Sequence, residues 1–124
     1  MQDFRKLHVW KRAHRFAIDA REATREFPKT GYGSLKSRIT RAAESIPTNI
    51  VEGCGAATPK EFARFLDISI KSTTEVEYEL ELARDYKVLP YRTWMQLTQE
   101  VVEIRKMLFA LRRAVLAGGR PPGD

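Results

Sequence analysis

The feature that most constrains the fold of this chain is the spacing of its apolar residues. Four segments place apolar or small residues at intervals of four and three. Such spacing makes one continuous stripe on a helix and lets that helix pack nearly parallel to its neighbours. The stripes run from Val9 to Phe27, from Leu35 to Ile50, from Phe62 to Ala83 and from Leu97 to Val115. No β-hairpin signal competes with them, so the sequence predicts an all-α fold.

Proline, glycine and capping residues predict where the helices begin and end. Pro28 disfavours helix at the residue before it, and Gly53 and Gly55 allow the second helix to close. Thr58-Pro59-Lys60-Glu61 is a capping box with proline at the first helical position. The predicted helices cover residues 7–26, 34–52, 59–86 and 90–117. Short connections between them predict an up-down-up-down four-helix bundle as one domain over residues 1–117, followed by a flexible Gly/Pro tail at 118–124.

Charge and hydropathy exclude several classes of protein. No apolar run reaches the roughly 20 residues of a membrane-spanning helix, so no membrane partner is predicted. The charged start, Met1 to Lys6, is unlike a secretory signal. A single cysteine, Cys54, cannot make an internal disulfide, which is typical of a reducing compartment. We therefore expect a cytoplasmic protein.

Basic residues are concentrated near the start of this chain, whose formal net charge is +6. Residues 1–29 contain eight Lys and Arg against four Asp and Glu. Such clustering is typical of proteins that contact phosphates. Nothing in the sequence indicates that bases are read or that a platform for base stacking is present. The alternatives are a solvated helix face, or pairing of this helix with the acidic third helix of another subunit. The predicted nucleic-acid-binding residues are Arg5, Lys6, Lys11, Arg12, Arg15, Arg38 and Arg41.

Apolar residues outside the stripes predict contact between copies of the chain. The fourth helix carries a second row, Met95, Val102, Phe109 and Leu116, which would equally suit a helix that faces two neighbours in its own bundle. Other apolar residues lie away from the stripes of the first and third helices, which is typical of protein–protein surfaces. The predicted homo-oligomer interface consists of Ile18, Ile68, Tyr78, Leu82, Val102 and Phe109.

The sequence contains no recognisable catalytic or metal-binding motif. It has no P-loop, G-x-S-x-G or H-E-x-x-H pattern. His8 and His14 both lack the glutamate three residues earlier that di-iron bundles use. The glutamates from Glu75 to Glu81 alternate along one helix and so fan around it. We predict no catalytic residue, no metal and no cofactor, and hence a protein that is not an enzyme.

The end of the second helix contains an unusual motif. Pro47 removes a helical N–H group and should kink the helix, while the amide of Asn49 lies where it can satisfy backbone groups. We predict a structural role for the motif formed by Pro47, Asn49, Glu52 and Gly53.

These and other residues resemble the four-helix-bundle family encoded within intervening sequences of bacterial large-subunit ribosomal RNA genes. That family includes the accessory protein of diversity-generating retroelements. The resemblance spans nearly the whole chain and rests on Phe4-Arg5-Lys6-Leu7, Val9-Trp10, Ala13-His14, Phe27-Pro28, Arg41-Ala42-Ala43, Ser45-Ile46-Pro47, Asn49-Ile50, Glu52-Gly53, Gly55, Glu61, Phe65-Leu66 and Ser72. Arg38, Thr40, Ala56 and Lys71 depart from the residues usual in the family.

The resemblance implies a cytosolic bundle that assembles as a ring of five, with a basic surface and no established enzymatic activity. For the retroelement branch it implies binding to nucleic acid and to a reverse transcriptase. We therefore expect a non-enzymatic homo-oligomer, a pentamer, that binds RNA or DNA through its basic surface. The alternative is a scaffold that docks a partner protein, such as a reverse transcriptase, without strong affinity for nucleic acid.

Overall fold

The computed structural model describes residues 2–118, and within that range the fold contains four α-helices and no β-strand. A short 3₁₀ turn, Phe4–Lys6, precedes them. The helices are α1 (His8–Thr24), α2 (Gly33–Cys54), α3 (Pro59–Asp85) and α4 (Tyr91–Leu116). The all-α prediction is confirmed, and each predicted boundary lies within two residues of the observed one. Residues 119–124 of the predicted tail lie outside the described range.

The four helices enclose one apolar core. Sequential helices pack against each other, and α1 also packs against α4. Their contacts run antiparallel: Asp67 of α3 meets Arg112 of α4, while Glu77 meets Arg105. The predicted stripes fill this core, since all their members are buried except Ala23, which is half-buried. Burial of these side chains supplies most of the driving force for folding.

Local chemistry explains how α3 begins and ends. The Oγ1 atom of Thr58 accepts a hydrogen bond from the backbone N–H of Glu61 at 3.1 Å, as the capping box predicts. At the other end, the N–H of Lys87 donates to the carbonyl of Arg84 and that of Val88 to the carbonyl of Ala83. Lys87 takes a positive φ of 64°, so the helix closes in a Schellman motif that usually has glycine at this position.

Helix α2 continues through Pro47, and a small polar network surrounds that point. Asn49 Nδ2 donates to the backbone carbonyl of Ser45 at 2.9 Å and to its Oγ at 3.0 Å. Ser72 of α3 donates from its Oγ to the same Ser45 Oγ at 2.7 Å, and the buried Ser69 donates to the carbonyl of Ile46. These bonds provide hydrogen-bond partners for the polar groups near Pro47, and they tie α2 to α3.

Gly53 and Glu52, the other two residues of the predicted motif at the end of α2, are in different environments. Gly53 is buried where α2 meets α3, and a Cβ atom there would lie 2.7 Å from Cδ1 of Phe62. Close approach of the two helices therefore requires glycine. Glu52 is exposed.

Candidate nucleic-acid interface

A basic cleft lies between the C-terminal half of α1 and the N-terminal half of α2. It has a volume of about 350 Å³, and its cationic residues are Arg21, Arg25, Lys36 and Arg41. Ser37 and Thr40 line the same cleft, and no carboxylate does. Of the four cations, only Arg25 forms an ion pair within the described residues, a 3.6 Å contact with Glu22. We call this site the basic cleft.

A second concavity, the apolar groove, lies next to the basic cleft along the same two helices. It has a volume of about 450 Å³, and Trp10, His14 and Ile18 of α1 line one side. Pro47 and Val51 of α2 line the other, together with Glu44. Arg21 lines both concavities, so they form one surface with a basic end and an apolar end.

Aromatic rings form a stack in the apolar groove. The rings of Trp10 and His14 lie 4.9 Å apart with an angle of 21° between their planes. Phe4 packs edge-on against Trp10 at 4.8 Å. Trp10 is half-buried and His14 is exposed, so the outer side of the stack faces solvent. The sequence predicts no stacking platform, because only the fold shows that this pair borders a basic cleft.

The predicted basic residues of α1 do not form one continuous surface. Arg12 makes a bidentate ion pair with Glu100 of α4, and its hydrogen bond to that carboxylate raises the pKa of the guanidinium. Arg15 pairs with Asp19 at 3.2 Å, and Arg5 lies over the ring of Phe4. Lys6 and Lys11 are exposed. Carboxylates of the same chain therefore compete with a phosphate for Arg12, and more weakly for Arg15, whose pair with Asp19 is largely exposed to solvent.

The two predicted basic residues of α2 lie beside acidic residues of α3. Arg38 and Arg41 share a small cleft with Glu75. Nearby Glu79 is buried, and its Oε1 atom has no hydrogen-bond partner. Burial, reinforced by the charge of Glu75, raises the pKa of Glu79 to about 7, while Arg38 and Arg41 oppose the shift. Arg41 is the predicted residue that also reaches the basic cleft.

The predicted interface residues lie on several faces of the molecule. Tyr78, Phe109 and Ile18 are 61%, 45% and 41% exposed. Leu82 is half-buried and packs against the core. Ile68 and Val102 are half-buried as well. Phe109 belongs to a row on α4 whose last member, Leu116, is 47% exposed, so the chain's own helices cover only about half of the surface of these two side chains.

No helix within residues 2–118 is long and apolar enough to span a membrane. No group of three or more His, Cys, Asp or Glu residues in that range is placed to hold a metal ion. The single cysteine, Cys54, is buried at the end of α2.

Comparisons with known proteins agree with this fold. Residues 5–110 match the family described as 23S rRNA-intervening sequence protein. The chain is also similar to a solved structure, a protein of unknown function from the S23 ribosomal protein family of Bacteroides thetaiotaomicron VPI-5482. The TM-score is 0.77 at 23% identity, with 85% of this chain and 98% of that chain covered. No curated protein matches the chain.

Proposed function

The chain belongs to the 23S rRNA-intervening sequence protein family, and from that premise we propose that it is a non-enzymatic, cytoplasmic protein that binds nucleic acid through its phosphates. The observation that carries this proposal is the basic cleft. Four cations line it, no carboxylate does, and three of the four have no ion-pair partner within the described residues. A phosphate that enters the cleft therefore breaks few contacts within the protein.

The electrostatics of the cleft favour an anion for two reasons. Arg21, Lys36 and Arg41 supply full positive charges, and Arg can bind a phosphate with two parallel hydrogen bonds. No carboxylate lines the cleft to oppose these charges, and the dipoles of α2, which begins there, and of α1, which ends there, offset each other. Arg12 and Arg15 contribute less than the sequence suggests, because Glu100 and Asp19 hold them.

We further propose that the protein acts as a homo-oligomer, a ring of five as the family resemblance implies. Support comes from the exposed apolar residues Tyr78, Phe109 and Leu116, which the chain's own helices only partly cover. Assembly would bring several basic clefts together and raise affinity for a long polyanion. Light scattering should give a mass several times the 14.3 kDa of the chain, and Phe109→Glu should lower it. Tyr91→Glu, at an exposed aromatic outside the predicted interface, is the control.

Fluorescence anisotropy with labelled single-stranded RNA, duplex RNA and duplex DNA, over a series of salt concentrations, tests the proposal. Each phosphate contact contributes about 0.7–0.9 to the slope of log affinity against log salt. Replacing Arg21, Lys36 and Arg41 together by Ala should therefore lower that slope by about two to three. The matched control removes three exposed cations of α3 and α4, Lys71, Arg92 and Arg113. Equal losses in both triple variants, or no binding by the wild type at low salt, would reject the basic cleft.

A second candidate function is docking of a partner protein, such as a reverse transcriptase. The exposed apolar residues Phe109 and Leu116 of α4 favour it, because no residue of α4 lines the basic cleft and a partner could dock there separately. This function predicts that Phe109→Glu abolishes stoichiometric capture of one partner while nucleic-acid affinity is negligible at physiological salt.

A further inference from the structure

We infer that the ligand of this surface is single-stranded nucleic acid, whose backbone crosses the basic cleft while a base stacks on the Trp10–His14 pair in the apolar groove. The inference rests on the proposed function and names the class of ligand. A cationic site lies beside an aromatic stack on this surface. Proteins that bind single strands without reading their sequence use this combination.

The two concavities lie next to each other. Arg21 lines both, with the aromatic stack on one side of it and Lys36 and Arg41 on the other. Trp10 of α1 and Arg25, which directly follows α1, lie at the two ends of this surface. They are 15 positions apart, a rise of about 22 Å at 1.5 Å per residue. That length matches a short run of nucleotides, with Arg21 placed where a phosphate would pass from the cleft to the groove.

The charges along the surface separate a place for phosphates from a place for a base. The cleft has cations and no carboxylate, whereas the groove has Glu44 among apolar side chains. A phosphate would be repelled by Glu44 and attracted by Lys36 and Arg41, so the backbone is directed to the cleft. An uncharged base is then the part of the ligand that suits the groove.

The aromatic pair leaves a free stacking face. His14 covers one side of Trp10, and the exposed ring of His14 continues the stack outward at the groove. Ile18, which is 41% exposed, lies on the same side of the groove and extends its apolar surface. In a duplex the faces of the bases are covered by their own neighbours, so only an unpaired strand can place a base here.

Tryptophan fluorescence can report this stacking, because Trp10 lies against the ring on which the base would stack. The chain has two tryptophans, Trp10 and Trp94, so Trp94→Phe leaves Trp10 as the sole tryptophan emitter. In that background, poly(U) should change the emission of Trp10 as it binds, because a base that stacks on His14 alters the surroundings of the tryptophan ring beneath it. Inorganic polyphosphate, which has the charge without the bases, should bind with little change in that emission.

His14→Ala should weaken binding of single-stranded RNA and DNA about tenfold and leave the salt slope unchanged, because it removes stacking and no charge contact. His14→Phe should retain the affinity. His8→Ala, at another exposed histidine of α1, is the matched control. Affinity for duplex RNA should be the same in all four proteins.

The outcomes separate this inference from the proposed function. Equal affinity of His14→Ala and wild type for poly(U), with a steep salt slope in both, would overturn the stacking inference and leave phosphate binding intact. Tighter binding of duplex than of single strands would overturn it in the same way. Failure of both poly(U) and polyphosphate to bind at low salt would reject the proposed function itself.

Discussion

The guanidinium of Arg12 and the carboxylate of Glu100 form the bidentate contact that links α1 to α4. Nε of Arg12 donates to Oε2 of Glu100 at 2.9 Å, and Nη2 donates to Oε1 at 2.7 Å. Its Nη1 also lies 3.6 Å from the Sδ atom of Met107. The geometry of this pair is suited to holding two helices together, and it occupies the donors that a phosphate would need.

Arg12→Ala should therefore lower stability more than nucleic-acid affinity. We expect a loss of about 1 kcal/mol in the free energy of unfolding, since both side chains are partly exposed and solvent screens the pair. Urea titration measures this loss, and a double-mutant cycle with Glu100→Gln isolates the pair. Arg21→Ala is the reciprocal control, with reduced affinity and nearly unchanged stability. A large loss of affinity in Arg12→Ala would show that the pair opens to bind the ligand.

Gly53→Ala should destabilise the protein by about 1–3 kcal/mol, the usual cost of adding a methyl group to a close-packed contact. The added Cβ would lie 2.7 Å from Cδ1 and 3.0 Å from Cε1 of the Phe62 ring. The same substitution in a Phe62→Leu background should cost less, because the ring atoms in the way are gone. Gly33→Ala, at a glycine with no neighbouring atom within 4 Å, is the control. Similar losses at both glycines would contradict the packing explanation.

The fold of this chain could be predicted from local signals, whereas much of the candidate site could not. The spacing from Phe62 to Ala83 identifies a buried face whichever helices cover it, and Thr58 caps α3 through an atom only three residues away. The basic cleft instead joins Arg21 to Lys36 and Arg41, which depends on how α1 is placed against α2.

Pairing across helices was similarly hidden from the sequence. Arg12 and Arg15 have the same residue type as Arg21, but the carboxylates of Glu100 and Asp19 pair with the first two. Asp19 is a neighbour at i+4 and was visible in the sequence, whereas Glu100 is 88 positions away from Arg12. The burial of Glu79 was not predicted either, because the alternation shows that these glutamates fan around α3 and does not show which of them faces a neighbouring helix.

Lys87→Gly should raise the free energy of unfolding by about 0.5–1 kcal/mol. Lys87 holds a φ of 64°, a conformation that costs non-glycine residues energy and that glycine adopts readily. The hydrogen bonds that close α3 use only backbone atoms of this turn, so the substitution retains them. Lys87→Ala is the control for loss of the side chain and should give no gain. A gain of equal size in Lys87→Ala would assign the effect to charge.

Glu79→Gln should stabilise the protein increasingly as the pH rises. The pKa of Glu79 is raised to about 7 by burial, above the ordinary value of 4.5, so the native state keeps a proton that the unfolded state releases. The contribution of this residue to stability is therefore full below about pH 4.5 and is lost as the pH rises through about 7. The full loss amounts to about 3 kcal/mol, because the two pKa values differ by about 2.5 and each pH unit corresponds to about 1.36 kcal/mol. Urea unfolding of both proteins between pH 5 and pH 8 measures the difference in stability between them, and taking this difference removes the contribution of other titrating groups.

Glu81→Gln, at an exposed glutamate of the same helix, should differ from the wild type by a constant amount over that range. A constant difference for Glu79→Gln as well would mean that Glu79 is already ionised in the native protein at pH 5, despite its burial.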